Sequence, residues 1–160
     1  MGVSGSGKST IGELLADRLG VPFVDADDLH PITNIDKMAA GHALTDDDRW
    51  PWLAKVGKAM AGASATGIVV ACSALKRSYR DAIRAQAPEV TFVYLHGERA
   101  LLASRLGQRE NHFMPATLLD SQLDALQPPA DDESAVTVEV DGSPAQIVDA
   151  TVDAIARASV

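Results

Sequence analysis

A chain of 160 residues with a formal net charge of -8 is long enough to bury one sizeable core, and its acidity argues against a nucleic-acid surface. Hydrophobic residues at 46% and charged residues at 22% exclude global disorder, while aromatics at 4% leave the core to Val, Ile, Leu and Ala. The one cysteine, Cys72, excludes a disulfide framework and a thiolate metal cluster, no apolar run approaches the ~18 residues of a membrane span, and no signal peptide is visible. The expectation is one cytoplasmic domain over residues 1–160.

The chain opens on Gly2-Val3-Ser4-Gly5-Ser6-Gly7-Lys8-Ser9, a full match to G-x-x-x-x-G-K-[ST]. Glycines at these places let successive backbone N–H groups turn inward around phosphate oxygens. The helix that follows adds its N-terminal dipole and free N–H groups. Lys8 supplies a point charge to the β- and γ-phosphates of ATP, and Ser9 offers a hydroxyl to Mg²⁺. Thr10 completes the nucleotide-binding set Gly2 to Thr10. The pattern predicts a helix over Ser9 to Leu19, with Ile11, Leu14, Leu15 and Leu19 on one side and Gly20 as its stop. Such a loop follows a buried strand, and here Met1 stands directly before Gly2. The expectation is a natural start about five to ten residues upstream, one strand length, with most of the first, central strand absent from this chain.

Pro22 to Asp25 reads as a short buried strand ending in acid. Residues 26 to 45 read as irregular, punctuated by Pro31, Asn34 and Gly41. Thr45 and Asp48 match a capping box, with Pro51 in or near the first turn of the helix it starts. Ile68 to Cys72, Val90 to Leu95 and Ala135 to Val140 are apolar strand candidates. Between and after them, helices are predicted over roughly Ser78 to Gln86, Arg99 to Leu106, from Pro115 onward, and Ala145 to Ala158. Apolar strands alternating with helices predict an α/β fold: a three-layer phosphate-loop kinase domain with a parallel sheet covered on both faces.

The opening motif alone specifies a phosphotransferase of this broad class. Further segments narrow it: Asp25-Ala26-Asp27-Asp28-Leu29-His30-Pro31, Asn34 to Met38, Leu44-Thr45-Asp46-Asp47-Asp48-Arg49, Cys72-Ser73-Ala74-Leu75-Lys76, Tyr79-Arg80-Asp81, Arg105 to Arg109 with His112-Phe113, and Leu126-Gln127-Pro128. Together they resemble the small gluconokinases over essentially the whole chain. The resemblance implies ATP-dependent phosphorylation of D-gluconate to 6-phospho-D-gluconate, with no nucleic-acid or membrane partner. It also carries a homodimer as the expected assembly. Shikimate and nucleoside-monophosphate kinases share the loop and the Asp-x-Asp but not Leu44 to Arg49 or Cys72 to Lys76. A nucleotide-binding protein without catalysis is the reading from another class.

By resemblance to related small kinases, Asp25 goes to the metal side with Ser9. Asp27 goes to the substrate as hydroxyl orienter or base. His30 is open between a substrate hydrogen bond and a structural loop role. Gluconate carries a carboxylate and five hydroxyls, so its pocket needs cations. Arg49, Lys76 and Arg80 are the expected anchors, with Lys76 at a strand end and Arg80 one helical turn later. Arg77 and Arg84 are left as surface charges. The polar stretch around 107–116 reads as a mobile lid that excludes water. It carries Arg109 as the candidate for charge stabilisation on the transferring phosphoryl group. Arg105 is placed against adenine, as is the turn at Val140 to Pro144.

Overall fold

The structure is a computed structural model and describes residues 1–108 and 116–158. Helix α1 (Lys8–Leu19) leads to strand β1 (Phe23–Asp25), a 3-10 turn (Ala26–Leu29), α2 (Ile32–Ala39), α3 (Asp46–Gly62) and β2 (Val69–Ala71). There follow α4 (Arg77–Arg84), β3 (Phe92–His96), α5 (Arg99–Gly107), α6 (Ala116–Ala125), β4 (Ala135–Glu139) and α7 (Pro144–Ala158). No helix among the described residues is long and apolar enough to cross a membrane.

The strands form two parallel pairs, β1 with β2 and β3 with β4. Period-two alternation explains how both faces of β3 are covered. Phe92 and Tyr94 enter one apolar cluster with Trp52, Leu53, Val56 and Ile83; Val93 and Leu95 face the other, with Ile11, Leu15, Leu102 and Ile147. Helices α3 and α4 thus cover one face and α1, α5 and α7 the other.

Residues 1 and 2 lie between the two pairs. Leu95 donates its N–H to the Met1 carbonyl at 3.0 Å, Gly2 N–H donates to Ser73 O at 3.2 Å, and the Met1 amino group donates to Val93 O. The order is therefore β1-β2, the Met1–Gly2 stub, then β3-β4. Below the stub a cavity of about 610 Å³ runs between β2 and β3, bounded by Val69, Val70, Ala71, Phe92, Val93 and Met1 among others. Its lining is mostly apolar side chains and two strand edges, with Lys8, Gln86 and Glu89 also on it, and a mostly apolar slot of this kind suits an inner parallel strand. Fusing five apolar, β-branched residues ahead of Met1 is expected to raise the melting temperature by about 5–10 °C, which thermal melts of the extended chain, beside a Gly/Ser extension of equal length, check.

The capping box at Thr45 forms as expected, with Asp48 N–H on Thr45 Oγ1 and the Asp48 carboxylate on Thr45 N–H. Pro51 sits inside α3, past the first turn. The expectation of an irregular 26–45 is corrected by the 3-10 turn and α2. Pro31 caps α2 rather than breaking it. Asn34 is buried, giving its amide to Asp48 O at 2.8 Å and lying 3.3 Å from His30 Nδ1. The apolar residues of α2, Ile32, Ile35 and Met38, are exposed, so this helix is fixed by its polar contacts and carries no core-facing stripe to reveal it. Of the two tryptophans, Trp52 is core and donates to Ala26 O at 2.6 Å, while Trp50 meets the edge of Tyr79.

Candidate active site

The phosphate loop is built on Gly5 and Gly7, with φ of 82° and 89°, left-handed values that favour glycine. Gly7 caps α1 without a side chain, so the first N–H groups of that helix are not taken by a cap and are suited to an anion. Lys8 folds back over the loop, its Nζ 3.1 Å from Val3 O. Ser9 Oγ donates to Asp25 Oδ2 at 2.9 Å. Asp25 Oδ1 in turn accepts the Asp27 N–H at 3.1 Å, which starts the 3-10 turn. The strand therefore ends at Asp25, and the two carboxylates are set by a turn rather than by strand alternation.

Asp27 titrates above the ordinary carboxylate range. Desolvation in the cleft is the main cause and the Asp25 charge adds to it, while His30 and Lys8 oppose it. Its side chain is still 86% exposed, which limits the effect. His30 stacks on Trp52, 4.2 Å between ring centres. Burial pushes its pKa below the ordinary value, favouring the neutral ring. Its Nδ1 faces the Asn34 amide, so Nε2 carries the hydrogen and points toward Asp27 Oδ1, 4.0 Å away.

A cluster of cations comes from two helix starts. Lys76 N-caps α4, and Arg49 lies in the first turns of α3. Both reach Asp46: Lys76 Nζ at 2.9 and 3.1 Å, Arg49 Nη1 at 3.5 Å. Tyr79 Oη also donates to Asp46 and lies 3.4 Å from Arg49 Nη1. His30 and Asn34 connect this cluster to Asp27 through α3, so phosphate loop, carboxylates and cations sit along the carboxyl ends of β1 and β2. That is where open α/β sheets hold ligands.

Residues 4–156 match the family model described as shikimate kinase. The probable gluconokinase of Xenopus tropicalis is 46% identical, over 88% of this chain and 83% of its own length. A gluconokinase from Sinorhizobium meliloti 1021 superposes with a TM-score of 0.89 at 51% identity, covering 98% of this chain and 89% of that one. The chain belongs to the gluconokinase family. Shikimate kinase from Aquifex aeolicus, at 15% identity and a TM-score of 0.62, shares the fold alone, which accounts for the broader model's match.

Within this gluconokinase-family chain the expected residues do not all converge. Arg80 is the main correction. It is fully buried, its Nε and Nη2 paired with both Glu133 oxygens at 2.6 and 2.8 Å. Its Nη1 lies within 3.3 Å of the carbonyls of Ala74, Leu75 and Gln127. A side chain with no exposed surface cannot touch a sugar acid, so its task is to tie the loop before α4 to residues 127–133. Arg77 is exposed, as expected, and paired with Asp132. Arg84 is not a plain surface charge: it lies over Phe92, with Nε and Nη2 buried. Arg105 donates to Val140 O, so Arg105 and the turn expected near adenine are neighbours. Arg109, His112 and Phe113 lie outside the described residues, as does most of the expected lid.

Three contributors were not singled out from sequence. Asp46 and Tyr79 complete the cation cluster; Tyr79 lies three residues after Lys76, a spacing that signals one helix face. Gln122 of α6 accepts the Ser4 N–H at 2.6 Å, a contact between the phosphate loop and the helix after 109–115 that no local pattern announces.

Ser9 and Asp25 form an oxygen donor pair suited to Mg²⁺. No group of three or more His, Cys, Asp or Glu among the described residues could hold a metal ion. These two residues thus fit an ion bound chiefly through nucleotide phosphates.

Proposed function

We propose that this chain transfers the γ-phosphoryl group of ATP to the 6-hydroxyl of D-gluconate, giving 6-phospho-D-gluconate, ADP and a proton. The observation that carries the reading is the placement of a phosphate loop and two carboxylates beside a Lys76–Arg49 cation pair, within a chain of this family. Gly2 to Thr10 cradle the triphosphate, with Lys8 on its outer phosphates. Ser9 and Asp25 would hold Mg²⁺, which would supply charge neutralisation on the phosphates. Asp27 accepts or orients the acceptor hydroxyl's proton, and neutral His30 steadies Asp27 from its Nε2 side. Lys76 and Arg49 hold the sugar-acid carboxylate. Arg105 flanks the adenine, and Arg109 meets charge developing on the transferred group. Composition supports a cytoplasmic enzyme, and resemblance to the small gluconokinases supports a homodimer.

A coupled ADP assay over gluconate, shikimate and nucleoside monophosphates tests the reaction; turnover on gluconate well above the others is expected, and activity confined to another acceptor overturns it. In the same assay Lys76→Met should raise the gluconate KM by about 10–100-fold, the worth of one charge-assisted hydrogen bond. The smaller change expected in kcat marks uniform binding.

A further inference from the structure

The cations assigned to the substrate carboxylate are already engaged by a carboxylate of the chain itself. Asp46 opens α3, and its side chain takes hydrogen bonds from Lys76, Tyr79 and Arg49. The Lys76 and Arg49 charges also lie 5.3 and 5.7 Å from the centre of the Tyr79 ring. One aromatic platform therefore carries two cations, closed by one anion. Asp46 is not needed to cap its helix, because Thr45 and Asp48 do that. Its side chain is 42% exposed, so it can swing into solvent without opening the core. Tyr79's and Lys76's hydrogen bonds hold its carboxyl below the ordinary range, so it is an anion wherever the enzyme works.

We propose that Asp46 is an internal counter-anion that latches Lys76 and Arg49 in the free enzyme and yields them to the sugar-acid carboxylate, making it a specificity-determining residue of the acceptor site. This rests on the reading of Lys76 and Arg49 as carboxylate anchors. An intramolecular carboxylate competes at high effective concentration. A simple monocarboxylate in solution therefore cannot displace it at millimolar levels. A sugar acid can, because its hydroxyls gain contacts near Asp27 and His30 at the same time. The latch thus rejects small anions that two open cations would collect.

The test compares Asp46→Asn with the wild type in steady-state kinetics, with acetate as the probe anion. Asn keeps the shape of Asp and removes its charge. A latch closed in about nine molecules of ten raises the apparent KM about tenfold. Asp46→Asn should therefore lower the gluconate KM by up to about tenfold with kcat little changed. It should also make the enzyme sensitive to acetate at about 10–50 mM, competitive with gluconate, where the wild type is not. Asp47→Asn removes the same charge one residue away, from an exposed side chain, and should leave both readouts unchanged. A gluconate KM that is unchanged or raised in Asp46→Asn, an acetate-insensitive variant, or an equal effect of Asp47→Asn each overturns the latch. Asp46→Ser gives the same comparison if the Asn variant does not fold. Failure of the reaction itself is distinguishable, since it shows as a wild type that does not turn over gluconate.

Discussion

Asp27→Asn is expected to lower kcat for gluconate by about 10²–10⁴-fold, the usual worth of a positioned general base, while the affinity for ATP changes by less than about twofold. The split follows from where the residue stands. Asp27 belongs to the turn after β1, two residues beyond Asp25, and Asp25 is the carboxylate that accepts the Ser9 hydroxyl beside the phosphate loop. Asn keeps the size of Asp and cannot accept a proton. The wild-type pH profile should show an acid limb above the ordinary carboxylate range, because cleft desolvation and Asp25 raise the Asp27 pKa. Below that pKa the base is protonated and kcat/KM falls; in the Asn variant this limb should vanish. A variant with wild-type kcat would remove Asp27 from the chemistry. A parallel loss of ATP affinity would move it to the nucleotide side.

Arg80→Ala should reduce stability by about 3–5 kcal/mol, the cost of stranding one member of a buried ion pair. For a chain of this size that is a fall in melting temperature of roughly 10–15 °C. Glu133 would remain in a site with no solvent contact, and the carbonyls of Ala74, Leu75 and Gln127 would lose a shared donor. Replacing both partners by apolar residues, Arg80→Met with Glu133→Leu, should recover most of the loss. A melting temperature within 2 °C or so of wild type for Arg80→Ala would show the pair to be unimportant to the fold. The acid side gives a second reading. Arg80's hydrogen bonds pull the Glu133 carboxyl down to about 2, below its ordinary value of 4.5. Its stabilisation is therefore complete above that ordinary value and is lost as pH falls through about 2. Glu133→Gln should lack this contribution, which acid titrations of the melting temperature would measure.

Features carried by neighbours in the chain were legible in the sequence. The phosphate loop, the Thr45 capping box, the acid ending of β1 and the placement of Lys76 after a strand end depend on residues within a turn or two of one another, so their chemistry is written locally. The alternation of apolar strands with helices likewise fixed the α/β class, and the family segments narrowed the acceptor. The tertiary structure alone decided which charges stay accessible and which are spent inside. Arg80 and Lys76 look alike in sequence, four residues apart on one helix. The partner that buries Arg80, Glu133, is far along the chain, whereas the partner of Lys76, Asp46, arrives from α3 on the open side. Gln122 reaching Ser4 and Asn34 joining α2 to α3 have the same character. Burial and hydrogen-bond partnership across such distances are properties of the packed chain, because they depend on which surfaces meet once local elements have formed.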